Sequence, residues 1–205
     1  MTQIKTDDTE NIFDRIKLIN RSYLMEPQYQ LLAQRIYTTS NIRGNFILRS
    51  GVTSTEYFDK YLFEAAPELL RDIAEAMIPL IPAGVDALAG LELGGVPLAT
   101  MLSQLTGLPA LFVRKQAKTY GTCKLAEGGE ITGRKLLIVE DVVTTGGQII
   151  DSARKLREIG AQIIRVLCVI DREQGGAANL QSAGLEFCPL LTMSEINESV
   201  QEESA

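Results

Sequence analysis

Residues 135–151 read KLLIVEDVVTTGGQIID, and several of them could do chemistry together. Glu140 and Asp141 stand side by side at the end of an apolar run. Thr144, Thr145, Gly146 and Gly147 follow, and then a second apolar run begins. In an open parallel sheet such a strand end lies beside a helix N-terminus, where ligands collect. Glycines let backbone amides approach a phosphate closely, threonine hydroxyls add donors, and the helix start adds positive potential. Two carboxylates beside such a cradle would repel phosphate unless they face hydroxyls or a hydrated Mg2+, which both want oxygen acceptors. The stretch therefore predicts a ribose 5-phosphate site. Glu140 and Asp141 take the 2′ and 3′ hydroxyls, and the turn from Val142 and Val143 through Thr144, Thr145, Gly146 and Gly147 to Gln148 takes the 5′-phosphate. It is neither a Walker A loop, having no Gly-Lys-Ser/Thr, nor a G-x-G-x-x-G turn. The same spacing also suits a capped strand–turn–helix with solvated acids.

No histidine occurs among the 205 residues. Ser-His-Asp and Cys-His nucleophiles and His-ligated metals are thereby excluded, and proton transfer falls to carboxylates, Lys, Tyr or the substrate. A second cluster, VRKQAKTYG, carries Arg114, Lys115 and Lys118, whose cationic groups suit phosphate oxygens. Taken alone it also reads as a solvated basic strand end. In VIDREQGG, Arg172 could fork a planar carboxylate or pair with Asp171 or Glu173. Cys123, Cys168 and Cys188 are odd in number and form no CxxC, so three reduced thiols in a cytoplasmic protein are expected, with Cys168 packed in RVLCVID. A net charge of −6 argues against broad nucleic-acid or acidic-membrane binding. The first twenty residues hold no signal-like core, and no apolar run is long enough for a bilayer.

The elements that must position these residues follow from periodicity. TENIFDRIKLINRSYLM spaces its apolar residues helically, Pro27 opens a second helix in PQYQLLAQRIY, and GNFILRSGVTSTEYFDKYLF reads as two extended pieces about Ser50-Gly51. AAPELLRDIAEAMIPLI is an amphipathic helix stopped by Pro79 and Pro82. Strands DALAGLE, ALFVRK, KLLIVED and IIRVLCVID then alternate with helices VPLATMLSQLTG and GQIIDSARKLREIG, and with a helix starting near Gln174. Continuous apolar strands alternating with helices predict an α/β fold with a central parallel sheet covered on both faces. One domain over 1–205 is expected: a helical extension over 1–43, a small hood over 44–65, a core over 86–185 and a flexible acidic tail over 196–205.

LLIVEDVVTTGG closely resembles the ribose-phosphate signature of the type I phosphoribosyltransferases. The likeness runs from about Gly44 to Gly176, and neighbouring segments resemble the branch of that family that acts on orotate. The resemblance implies transfer of ribose 5-phosphate from phosphoribosyl pyrophosphate to orotate in pyrimidine biosynthesis, with Mg2+ met by Asp141 through water or ribose. It implies a homodimer with shared sites. Arg114, Lys115 and Lys118 would neutralise the pyrophosphate from a loop that closes over the partner's site. Tyr120 stands where the family has His; its hydroxyl can donate but is a poor proton source near neutral pH, which leaves Lys118 as the principal catalyst of that loop. Arg114 and Asp141 complete the implied catalytic set. Arg172 would pair with the orotate carboxylate, Thr144 would contact the same base, Tyr57 and Phe58 would flank it, and Arg49 would reach the pyrophosphate. GLELGGVPLA resembles the pyrophosphate loop, with Gly94 where some relatives carry Lys, so backbone amides near Leu93 and Gly94 must serve; a cis Glu92–Leu93 peptide is implied. Another base as acceptor, and a non-catalytic sensor of the same fold, are the alternatives. The intact Arg-Lys-x-x-Lys loop and the acidic balance argue against a sensor.

Overall fold

A computed structural model describes residues 27–47, 51–117 and 124–201. The helix expected over residues 9–25, together with Arg49, Lys118, Tyr120 and Cys123, lies outside them. Helix α1 (Pro27–Ser40) leads into an antiparallel hairpin, β1 (Asn41–Ile47) and β2 (Thr53–Phe58), followed by α2 (Lys60–Ala65) and α3 (Pro67–Met77). The core then alternates: β3 (Ala87–Leu91), α4 (Gly95–Thr106), β4 (Ala110–Val113), a short β5 (Ala126–Glu127), β6 (Lys135–Val143), α5 (Gly147–Glu158), β7 (Gln162–Asp171), α6 (Gly176–Ser182), β8 (Phe187–Thr192) and α7 (Met193–Gln201). The six-stranded sheet has the order β5-β4-β3-β6-β7-β8, and only β5 runs antiparallel.

The strands read as apolar runs because both faces are covered. Along β6, Leu137 and Val139 face a core completed by Ile36, Phe63, Ile73 and Met77, whereas Leu136 and Ile138 face Ile149, Ala153 and Leu156 of α5. This is the period-two alternation of a strand buried on both sides. Cys168 and Cys188 are free thiols inside the sheet, and burial pushes the Cys168 thiol far up. Among the described residues no helix is long and apolar enough to cross a membrane.

Three expected boundaries move. The hairpin starts at Asn41 rather than Gly44. The core does not end at 185, because FCPLLT adds the edge strand β8, where Pro189 is tolerated since an edge strand need not donate on its outer side. Residues from 196 onward are not a flexible tail as far as Gln201: Met193, Ile196 and Val200 fall on one helical face, Ile196 is buried, and α7 packs on α1 with Gln34 Nε2 donating to the Ser199 carbonyl at 2.7 Å.

Candidate active site

The chain leaves β3 towards one edge of the sheet and β6 towards the other, so the carboxyl ends of these neighbours flank a crevice. Beyond β3 lies Glu92-Leu93-Gly94, and the Glu92–Leu93 peptide is cis, as the resemblance implied. Gly94 admits no side chain: a Cβ there would lie 1.6 Å from Asp141 Oδ2 and 2.6 Å from Glu64 Oε1. Gly95 is equally constrained, because its Cβ would meet the Val139 carbonyl at 2.2 Å, so α4 starts directly against β6.

Across the crevice, Glu140 and Asp141 are both buried, Asp141 completely. The Val142 N–H donates to Asp141 Oδ1, and Lys60 Nζ, from the helix that follows the hairpin, stands 2.6 Å from Oδ2. One turn after Lys60, Glu64 brings a third carboxyl, buried and with Oε1 receiving no hydrogen bond. Burial, reinforced by Asp141, raises Glu64 to about 9, and burial likewise pushes Glu140 well above the carboxylate range. Burial also works to raise Asp141, but hydrogen bonds from Glu140, Glu64 and Lys60 outweigh it and hold Asp141 below its ordinary value. A proton on Glu64 makes that carboxyl a donor towards Asp141 instead of a competing acceptor. Burial opposes the charge on Lys60, and Asp141 more than restores it. The group therefore holds Asp141 as its anion and Lys60 as its cation, while burial disfavours the charged forms of Glu64 and Glu140.

The turn after β6 has the cradle geometry. Gly146 sits at φ 75°, a left-handed conformation that glycine adopts without strain, and α5 begins at Gly147. Gly176 lets α6 seat on this turn, since a Cβ would meet Val143 Cγ1 at 2.6 Å and the Thr144 carbonyl at 2.8 Å. Asn179 Nδ2 donates to the Thr145 carbonyl at 2.9 Å, and Gln148, exposed beside the turn, donates to Ser152. Arg114 and Lys115 follow β4 on the other flank. The Lys115 N–H donates to Glu92 Oε1 at 2.6 Å and its carbonyl accepts from Lys155 Nζ at 2.7 Å, which ties the end of β4 to the cis-peptide loop and to α5. Arg114 Nε lies 3.9 Å from Glu127.

Arg172, at the end of β7, places its guanidinium 5.8 Å from the centre of the Phe58 ring. The ion pairs open to it in the sequence are not made, because Glu173 accepts from Ser194 and Asp171 accepts the Glu173 N–H. Tyr57 points to the other side of the hairpin and packs on Phe46 with centroids 5.5 Å apart. Strand alternation separates two neighbours that the sequence reading set on one base. The structure thus brings Asp141, Glu140, Gly94, the Val142–Gly147 turn, Lys115, Phe58 and Arg172 to one end of the sheet. Lys60, Glu64 and Glu92 belong there too and were missed. Lys60 and Glu64 belong to no motif along the chain, and only the approach of Glu64 to Gly94 and of Lys60 to Asp141 reveals them.

A glycine–threonine turn before a helix N-terminus at a switch point, with a buried acid beside it, is the arrangement in which open α/β sheets take phosphorylated ligands. The model of the phosphoribosyl transferase domain matches residues 59–197, so the chain belongs to the phosphoribosyltransferase family. The relatives it follows along most of its length are orotate phosphoribosyltransferases. That of Nocardioides sp. is 55% identical over 166 residues, 81% of this chain and 93% of that protein. That of Methanocella arvoryzae is 44% identical over 153 residues, 75% of this chain and 87% of that protein. The crystal structure of the Mycobacterium tuberculosis orotate phosphoribosyltransferase in complex with 5-phospho-alpha-D-ribosyl 1-diphosphate superposes with a TM-score of 0.72 at 28% identity, covering 83% of this chain and 99% of that one.

Proposed function

We propose that this protein joins orotate N1 to C1′ of phosphoribosyl pyrophosphate, releasing pyrophosphate and forming orotidine 5′-phosphate. The observation that carries this reading is the convergence of the ribose-side acid Asp141, the glycine–threonine turn and the Phe58–Arg172 pair at the carboxyl ends of β6 and β7. Thr144 to Gly147 cradle the 5′-phosphate with backbone amides and hydroxyls. Asp141 accepts from the ribose hydroxyls and favours the positive charge that builds on the sugar. Phe58 stacks on the pyrimidine while Arg172 pairs with its carboxylate. Arg114 and Lys115 meet the leaving pyrophosphate, joined by Lys118 and Arg49 on the resemblance alone. No protein nucleophile is required, in keeping with a chain that has no histidine.

Among the described residues no group of three or more His, Cys, Asp or Glu could cage a metal ion. The donor set fits a Mg2+ carried in by the donor's own oxygens, with Asp141 meeting it through water or ribose and the ion neutralising pyrophosphate charge. A homodimer sharing its sites, working in the cytoplasm, completes the reading; sedimentation of a strictly monomeric active species would contradict the dimer. The deciding assay offers phosphoribosyl pyrophosphate and Mg2+ with orotate, hypoxanthine and uracil as parallel acceptors. Only orotate should be consumed with release of pyrophosphate; turnover of another base, or none at all with donor bound, would replace this reading.

A further inference from the structure

We propose that Glu173 is a positioning residue of the base subsite: its carboxylate, hydrogen-bonded to Ser194 at the start of α7, locks the turn after β7 and so fixes the backbone from which Arg172 reaches the base. The inference rests on Arg172 meeting the orotate carboxylate. Among the described residues, Glu173 alone takes a left-handed backbone without being glycine, at φ 58°. A side chain at such an angle is strained, and the conformation persists only where surrounding contacts impose it. The Glu173 N–H donates to Asp171 Oδ1 at 2.9 Å, and Glu173 Oε2 accepts from the Ser194 N–H at 2.9 Å and from the Ser194 hydroxyl at 2.6 Å. On the other side, the Arg172 N–H donates to the Val143 carbonyl at 2.9 Å, at the end of β6. Arg172 is thus held through its main chain, between two anchors. Its side chain has little else to hold it: Nε is buried without a hydrogen-bond partner among the described residues, and the Phe58 ring face sets no hydrogen-bond direction. Helix α7 does not need Glu173 for its own start. The Glu195 N–H donates to Thr192 Oγ1 at 3.2 Å and the Thr192 N–H to Glu195 Oε2 at 2.7 Å, a reciprocal cap. Glu173 is exposed, and a further carboxylate at a helix start contributes no more than the left-handed strain costs. What remains for the contact is geometric. Gly175, two residues on, is also left-handed at φ 86°, so the turn has little stiffness of its own, and Glu173 ties it to a helix seated in the core through Ile196.

The test compares Glu173→Ala, Glu173→Gly and Glu173→Gln in the full chain. Calorimetry measures the binding of orotidine 5′-phosphate and of uridine 5′-phosphate, which differ only in the base carboxylate, and steady-state kinetics supply both substrate KM values. Alanine and glycine should weaken orotidine 5′-phosphate about tenfold and leave uridine 5′-phosphate within about twofold. They should raise the orotate KM about tenfold with the donor KM unmoved. Glycine takes φ 58° without strain, so it reports the same loss if the alanine variant folds poorly. Glutamine keeps an oxygen for the Ser194 donors and should recover most of the loss. A residue that merely caps α7 would lower the melting temperature and leave the preference for orotidine 5′-phosphate intact, which overturns the proposal, as does equal weakening of both nucleotides. A parent chain that binds the two nucleotides alike would instead overturn the role of Arg172 on which the proposal rests.

Discussion

Replacing Glu64 by glutamine should make the protein more stable, and increasingly so as pH rises. Burial and Asp141 raise this carboxyl from its ordinary 4.5 to about 9. Below the ordinary value the acid is protonated in folded and unfolded chains alike, so it contributes no difference there. Above it the unfolded chain releases the proton while the folded chain retains it, so stability is lost steadily until pH passes the folded value. At about 1.4 kcal/mol per pH unit, the loss by pH 7 would be about 3 kcal/mol. The carboxyl shares its proton with Asp141 and neighbours a partly solvated lysine, so roughly half, about 1.5 kcal/mol, is the working magnitude. Glutamine has nearly the same shape, keeps a donor towards Asp141 and has no proton to lose. Glu64→Gln should therefore match the parent near pH 4.5, exceed it by ~1.5 kcal/mol at pH 7, and exceed it further at pH 8.5. Urea unfolding at four pH values measures this, with the slope against denaturant held common to both proteins. A difference that does not change with pH, or a glutamine variant weaker at pH 8.5, would show that Glu64 is ionised in the fold.

Gly94→Ala must displace the Asp141 carboxylate, since its Cβ would stand 1.6 Å from Oδ2; calorimetry should show donor affinity falling by tenfold or more, about 1.4 kcal/mol. Arg172→Ala should raise the orotate KM by one to two decades, ~1.5–3 kcal/mol for a charge-assisted pair, and leave the donor KM alone; equal losses for both substrates would remove it from the base subsite. Met77→Ala empties a wholly buried site and should cost about 2–5 kcal/mol in denaturant unfolding, whereas Leu31→Ala, on an exposed face of α1, should stay within about 0.5 kcal/mol.

What the sequence could show of this fold depended on how local each signal was. β6 and β7 were legible because continuous apolar runs are what a doubly covered parallel strand requires, and the hairpin was legible as two extended pieces. β8 was not, since Pro189 inside FCPLLT weakens a strand pattern unless its place at the sheet edge is known. α7 hid behind polar composition, its few apolar residues deciding the outcome once α1 offered a surface. In the site, the Asp141 strand end and the glycine–threonine turn are contiguous in sequence and were read directly. The Lys60–Glu64 contribution crosses from a separate helix, and no spacing rule along the chain announces it. The parting of Tyr57 from Phe58 follows from strand alternation and was open to a stricter reading of period two.

The union of α1 with α7 carries a consequence for how the chain matures. Ile36 and Ile196 sit in one apolar cluster, and Gln34 reaches the Ser199 carbonyl. A nascent polypeptide halted before residue 196 therefore leaves Leu32 and Ile36 without Ile196 in their cluster, and the packing of this side waits until residues 193–201 have been made. Clipping that final amphipathic turn would be felt at the opposite extreme of the described chain, so any tag or fusion is best attached outside an intact Met193–Gln201 segment.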